Sequence, residues 1–177
     1  DLITTTPQLK ASLKTVLRMI KGSFAISKGA IFHVQQETRR LTLLTAIGLD
    51  EKPTVLSVPQ PTEAYWTTYD SPLTAEDIET LPAMRNFTIA NEAALQNLPR
   101  TLWIPLVMKG QLFGLLMLSE KLGGQPYSDI ERDLLSVMAR QIAVALYNHA
   151  LNFKLDLKVV ELERLHEITS IIHSTLN

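Results

Sequence analysis

The sequence predicts an α/β (α+β) sandwich, in which a central antiparallel sheet carries the N- and C-terminal helices on one face and a lid of loops and short helices on the other. Three observations lead there. Leu102–Met108 and Gln111–Ser119 are apolar runs separated only by Lys109-Gly110. Strict alternation puts Leu112, Leu116 and Leu118 on one face of the second run and Phe113, Leu115 and Met117 on the other. A strand with one solvated face alternates apolar and polar residues, so this sheet needs cover on both sides. Finally, apolar residues at helical spacing open the chain, and the stretch from Asp129 to Asn177 contains neither proline nor glycine.

Each element has its own signal. Leu9, Leu13, Val16, Leu17 and Ile20 recur at three- and four-residue steps and form one stripe of a first helix. Pro7 suits its first turn and Lys21-Gly22 its end or a kink. Ala30–Gln36 and Leu41–Ile47 read as strands around a hairpin loop at Glu37-Thr38-Arg39-Arg40, with Gly48 closing the second. Thr54–Val58 is a weaker third strand, ended by Pro59 and Pro61.

Residues 60–100 show little sustained periodicity, and five of the nine prolines fall between Pro59 and Pro99. Thr74 and Asp77 are spaced as a capping box for a short helix Ala75–Leu81, which Pro82 is expected to stop. Asn91–Leu98 is a second short helix. A connection this long is unusual unless it contributes to a site. Tyr65, Trp66 and Tyr69 stand in it, with Phe87 and Trp103 within reach and Phe32 on the first strand. These six are the candidate ligand pocket, set against the plainer role of aromatics as core filling.

The last hairpin needs positive φ in its two-residue loop, which Gly110 adopts at little cost. Ser128 and Glu131 form a capping box that starts the last helix. Leu134, Val137, Met138, Ile142, Ala145 and Leu146 are expected to pack on the sheet. Beyond Asn152, Leu155, Leu162, Thr169 and Leu176 follow one another at seven-residue intervals, and Leu165 and Ile172 lie three residues after the second and third of these. At about 1.5 Å per residue such a helix projects well past a small domain. Its stripe then needs a partner, most simply the same helix of a second copy. The chain divides into a domain at 1–150 and a connector helix at 151–177.

Composition limits the function. With 177 residues, 46% hydrophobic and 20% charged, the chain suits one domain with a long appendage. No cysteine is present, which excludes thiol nucleophiles, thiolate metal sites and thioether-linked chromophores. A net charge of −1, with Arg39-Arg40 as the one dibasic pair, offers no field for a nucleic acid. Apolar runs fall far short of the about twenty residues a bilayer span needs, so no membrane contact and a cytoplasmic location are expected. There is no phosphate-binding glycine loop, His-Glu-x-x-His pattern or nucleophile elbow, so no enzyme is expected. Glu76-Asp77 and Glu131/Asp133 sit at helix starts, where they favour the helix dipole.

Trp103-Ile104-Pro105-Leu106, Lys109-Gly110, Gly114-Leu115-Leu116-Met117-Leu118 and Glu120-Lys121 together resemble the final hairpin of a GAF domain. Tyr127-Ser128-Asp129, Leu134-Leu135, Ala139 through Leu146 and Asn148 resemble the family's C-terminal helix. Ala30-Ile31-Phe32 and Thr45 through Leu49 resemble its first two strands. Leu162–Leu176 is similar to the helices that connect GAF domains to a following module. The resemblance implies a piece of a bacterial signalling protein: a homodimeric sensory domain that binds a small molecule of unknown identity under its lid and signals through its C-terminal helix to a downstream output module, the alternative being a ligand-free dimerisation spacer; it names no cofactor. The signature of cyclic-nucleotide-binding members is not traced here. Bilin-binding members usually attach their pigment through a cysteine, which this chain lacks. His33 and His149 are conceivable haem ligands, the plainer reading being hydrogen-bonded or surface histidines. His166-Glu167-Ile168-Thr169 superficially resembles a phospho-acceptor box and fits a connector better.

Overall fold

A computed structural model of the chain describes residues 2–176. Six antiparallel strands form one sheet in the order β3-β2-β1-β6-β5-β4. The strands are β1 (Gly29–Val34), β2 (Leu41–Ile47), β3 (Val55–Leu56), β4 (Leu73–Thr74), β5 (Leu102–Met108) and β6 (Gln111–Leu118). Helices α1 (Leu2–Phe24) and α6 (Asp129–Leu176) cover one face. Helices α2 (Gln60–Thr68), α3 (Ala75–Thr80), α4 (Pro82–Ala90) and α5 (Glu92–Leu95) cover the other.

The β5–β6 hairpin anchors the sheet. Lys109 and Gly110 have φ of 51° and 71°, the two positive values of a type I′ turn, and Met108 pairs with Gln111 across it. Strict alternation fails at one place. Leu106 pairs with Gly114 but Val107 pairs with Leu112, so Phe113 is an extra residue, a β-bulge. The bulge reverses the facing of everything before it. Leu112 therefore lies on the lid side with Leu115 and Met117, and Phe113 on the helix side with Leu116 and Leu118, the opposite of the expected assignment for these two residues. Gly114 sits beside the bulge, where a Cβ would stand 2.2 Å from the Phe32 carbonyl oxygen and 3.0 Å from Leu146 Cδ1. No side chain fits where β6 passes β1 beneath α6. A similar irregularity in β2 sends Leu44 into the helix-side core.

The terminal helices differ from expectation in detail. Leu13, Leu17, Ile20 and Phe24 of α1 are buried, but the helix runs through Gly22 and ends at Phe24. Ala25 has a left-handed φ of 54°, and the Ile26 amide donates back to the Lys21 carbonyl, an arrangement that stops a helix. Pro7 lies inside the helix, not at its first position. In α6 the sheet is met by Leu135, Ala139, Ile142, Ala143 and Leu146. Leu134 and Val137, expected on that face, are 53% and 50% exposed. Two apolar stripes run along this part of α6, and the pattern alone does not say which one packs.

Residues 60–100 are more regular than expected. Pro61 and Pro82 lie in the first turns of α2 and α4, where a missing amide hydrogen costs nothing, so Pro82 starts a helix as well as ending the previous one. The capping box at α3 is complete: Thr74 Oγ1 accepts from the Asp77 amide and the Asp77 carboxylate accepts from the Thr74 amide. Leu73 and Thr74 pair with Trp103 and Leu102, which fixes that cap to the sheet edge.

Candidate functional site

Four of the six candidate pocket residues are fully buried: Phe32, Trp66, Phe87 and Trp103. Trp66 and Phe87 meet edge-to-face at 5.1 Å, and Phe87 and Trp103 at 5.5 Å. This stack joins α2, α4 and β5 and occupies the space between lid and sheet. Trp103 Nε1 donates to the Pro99 carbonyl at 2.7 Å, whereas Trp66 Nε1 is buried without an acceptor. Tyr65 and Tyr69 lie at the rim of α2, 5.0 Å apart, with Tyr69 exposed.

The lid is tied down by polar residues that carry no periodic signal. Asn91 is buried at the end of α4. Its side chain accepts from the Ser57 amide at 2.8 Å and donates to the Ser57 and Phe87 carbonyls, fastening the lid to the chain after β3. Thr62 donates to the Ala83 carbonyl at 2.7 Å and joins α2 to α4. Beside these, a groove of 1130 Å³ opens between the β2–β3 connection and the α5–β5 connection, lined by Leu49, Lys52, Thr54, Asn97, Arg100 and Ser119 among others. None of the six candidate aromatics lines it. Sequence reasoning did not find this groove, because its walls are two turns that meet only in the folded chain.

One wall of the groove is coupled to the helix layer. Glu51, in the turn after β2, accepts from the Ala46 amide and from Thr45, and pairs with Lys10 and Lys14 of α1 at 3.1 and 3.0 Å. Burial opposes its charge, but the Ala46 amide and the two lysines outweigh that and hold its pKa down at about 2. On the same side of the sheet, Tyr127 donates to the Ser119 carbonyl at 2.6 Å, and burial followed by the Glu131 charge raises its pKa. Lys121 pairs with Glu131 at 2.8 Å beside the start of α6.

His33 of β1 is partly buried, and its pKa is lowered by burial and then by the charge of His149 on α6. Lys109 of the hairpin turn donates to Tyr147 at 3.2 Å. Among the described residues no group of three or more His, Cys, Asp or Glu is placed to hold a metal ion, and no helix is long and apolar enough to cross a membrane.

Past Ala150 every residue of α6 up to Leu176 is exposed except the half-exposed Asp156. Leu155, Leu162, Leu165, Ile172 and Leu176 are between 52% and 79% exposed. A GAF-domain family model matches residues 8–148, which is most of the chain and the whole of the sheet with both its covering layers. The chain belongs to the GAF family. The GAF domain of a phosphoenolpyruvate-protein phosphotransferase from Coxiella burnetii is 16% identical with a TM-score of 0.62, covering 87% of this chain and 97% of that one. The blue-light absorbing form of the PixJ GAF domain from Thermosynechococcus elongatus is 19% identical with a TM-score of 0.63, covering 91% and 96%. Residues 122 to 287 of a methyl-accepting chemotaxis protein are 15% identical with a TM-score of 0.61, covering 85% and 98%. At these identities the likeness shows the shared fold. Among curated proteins, none matches this sequence.

Proposed function

We propose that this GAF domain is a non-catalytic regulatory module of a bacterial signalling protein, which pairs with a second copy through its last helix and passes the state of its body along that helix to an output module. The exposed heptad stripe of the 151–177 connector carries this reading. Five large aliphatic side chains on one line of a helix that touches nothing else is an arrangement stable in water only when something covers it. The body's filled lid fits a module that sets spacing and register. Light scattering of the intact chain tests it: a particle of twice the chain mass is expected, and Leu162→Glu is expected to return it to monomer with the body still folded. A monomeric intact chain at micromolar concentration contradicts the proposal.

A second reading, that a small molecule is sensed beneath the lid, is favoured by Trp66. Its indole N–H is fully buried with no acceptor, a deficit of roughly 1–3 kcal/mol that an acceptor group or water entering under α2 would relieve. Native mass spectrometry of freshly purified protein checks this. Extra mass that is lost in Trp66→Phe supports ligand sensing, and a bare dimer from both proteins supports the spacer role.

A further inference from the structure

The 1130 Å³ groove beside α5 is built from four strand ends. Lys28 precedes β1, Gly48 follows β2, Thr101 precedes β5 and Ser119 follows β6, and all four residues line it. In the strand order these ends lie side by side across three inter-strand spacings, about 14 Å, too wide for a lone ion. Contacts from distant parts of the chain hold this end of the sheet in shape. The Lys28 amide donates to Ser119 Oγ and the Ser119 amide to the Lys28 carbonyl, both at 3.0 Å. Gly48 has a φ of 72° and lies so close to Ser27 that a Cβ there would stand 2.1 Å from its carbonyl oxygen. The space beneath the lid is a different place: Trp66, Phe87 and Trp103 fill it, and none of them lines the groove.

The lining has an apolar and a charged part. Leu43, Leu49, Ala94 and Leu98 are half-buried against the lid-side core and expose the rest of their surface to the groove. Its charged residues are Lys28, Lys52 and Arg100 with Asp50 and Glu120, and none of the five has an ion-pair partner among the described residues. Their sum is one positive charge, in a chain whose net charge is −1. A single anionic head balances that sum, whereas a polyphosphate overshoots it and meets two carboxylates. Apolar surface with a few polar groups is the ordinary make-up of an organic ligand site. We infer that this groove binds an amphipathic monocarboxylate. Its carboxylate is taken by Lys52 and Arg100 from opposite walls, and its apolar body lies on Leu49 and Leu98. The inference depends neither on the pairing of last helices nor on the Trp66 indole.

Two points of the groove are joined to the helix layer. Glu51 lies between Asp50 and Lys52 on one wall, and its carboxylate pairs with Lys10 and Lys14 of α1. Ser119 accepts from the Tyr127 hydroxyl, and Tyr127 leads directly into the capping box that starts α6. A ligand held by both walls binds most tightly when the β2–β3 and α5–β5 connections approach each other. It favours that arrangement by its differential affinity. Glu51 then carries the movement to α1, and Ser119 carries it through Tyr127 to α6.

Backbone amide chemical shifts of the intact, isotope-labelled chain test it, with phenylacetate as probe and phenylacetamide as its neutral counterpart. Phenylacetate is expected to shift the amides of Leu49, Asn97 and Thr101 saturably, and those of Lys14 and Tyr127 with the same dissociation constant. Phenylacetamide is expected to bind about ten-fold more weakly or worse. The double variant Lys52→Ala, Arg100→Ala is expected to lose phenylacetate affinity to the same degree, and Arg85→Ala on α4 to keep it. Glu51→Gln is expected to retain the shifts in the groove and lose the one at Lys14. No saturable shift, saturable shifts confined to residues beneath the lid, or equal binding of phenylacetamide each overturns the site. Groove shifts that leave Lys14 and Tyr127 unmoved, or a Lys14 shift that survives Glu51→Gln, overturn the relay.

Discussion

The two halves of α6 are one helix under two different kinds of support. From Asp129 to Ala150, Leu135, Ala139, Ile142, Ala143 and Leu146 are buried against β5, β6 and α1, and the Ser128–Glu131 capping box closes the first turn. From Leu151 to Leu176 no side chain is buried, and the helix has only its own backbone hydrogen bonds and local side-chain contacts to hold it. Most of the stability of a protein helix comes from packing of its apolar face, so the order of this segment in solution depends on what covers the exposed stripe. The difference teaches that one helix carries two apolar faces under different constraints: one is fixed by the sheet, and the other is left exposed.

The comparison can be broken from either side. The largest effect is expected in the body. Leu135→Ala removes a fully buried side chain from the helix-side core and should cost about 2–5 kcal/mol of unfolding free energy in a denaturant titration, leaving association of the folded fraction intact. A loss below about 1 kcal/mol would place the core of α6 elsewhere. Leu162→Glu should show the reverse pattern, with little change in body stability and a dissociation constant raised about 100-fold or more, read by sedimentation.

A smaller effect tests the clasp between the helix layer and the groove wall. Glu51 has its pKa lowered from 4.5 to about 2 in the folded chain, so its contribution is present above the ordinary value and is lost as pH falls from about 4.5 towards 2. Glu51→Gln should destabilise by about 1–2 kcal/mol at neutral pH and flatten the acid limb of the stability profile. An unchanged acid limb would show that the clasp is not held in solution. The smallest effect is expected at Trp66→Phe, which removes a buried N–H without an acceptor while keeping an aromatic ring against Phe87. It should be neutral or mildly stabilising in thermal melts.

What the residues revealed in advance follows the range of the forces involved. The Lys109-Gly110 turn and the capping boxes at Thr74 and Ser128 are set by two to four neighbouring residues, and they stand where expected. Both sheet faces being covered was legible because the strands are apolar throughout. The bulge at Phe113 was not, since nothing nearby but Gly114 marks it, and it inverted the facing of two side chains. The lid read as irregular because its helices are short and two of the four begin at prolines, so periodicity never accumulates. Asn91 and the groove at Lys52 and Arg100 depend on turns brought together from distant parts of the chain. In α6 both stripes were visible, but the sheet's choice between them is a tertiary fact, and assigning Leu134 and Val137 to the core concealed how far the exposed apolar stripe extends.

The central claim is that this outer line of α6 joins two copies. Sedimentation equilibrium of the intact chain beside Leu162→Glu tests it most directly. The account predicts twice the chain mass for the first and the chain mass for the second, with identical near-ultraviolet spectra from their bodies. Equal masses for the two proteins would contradict it.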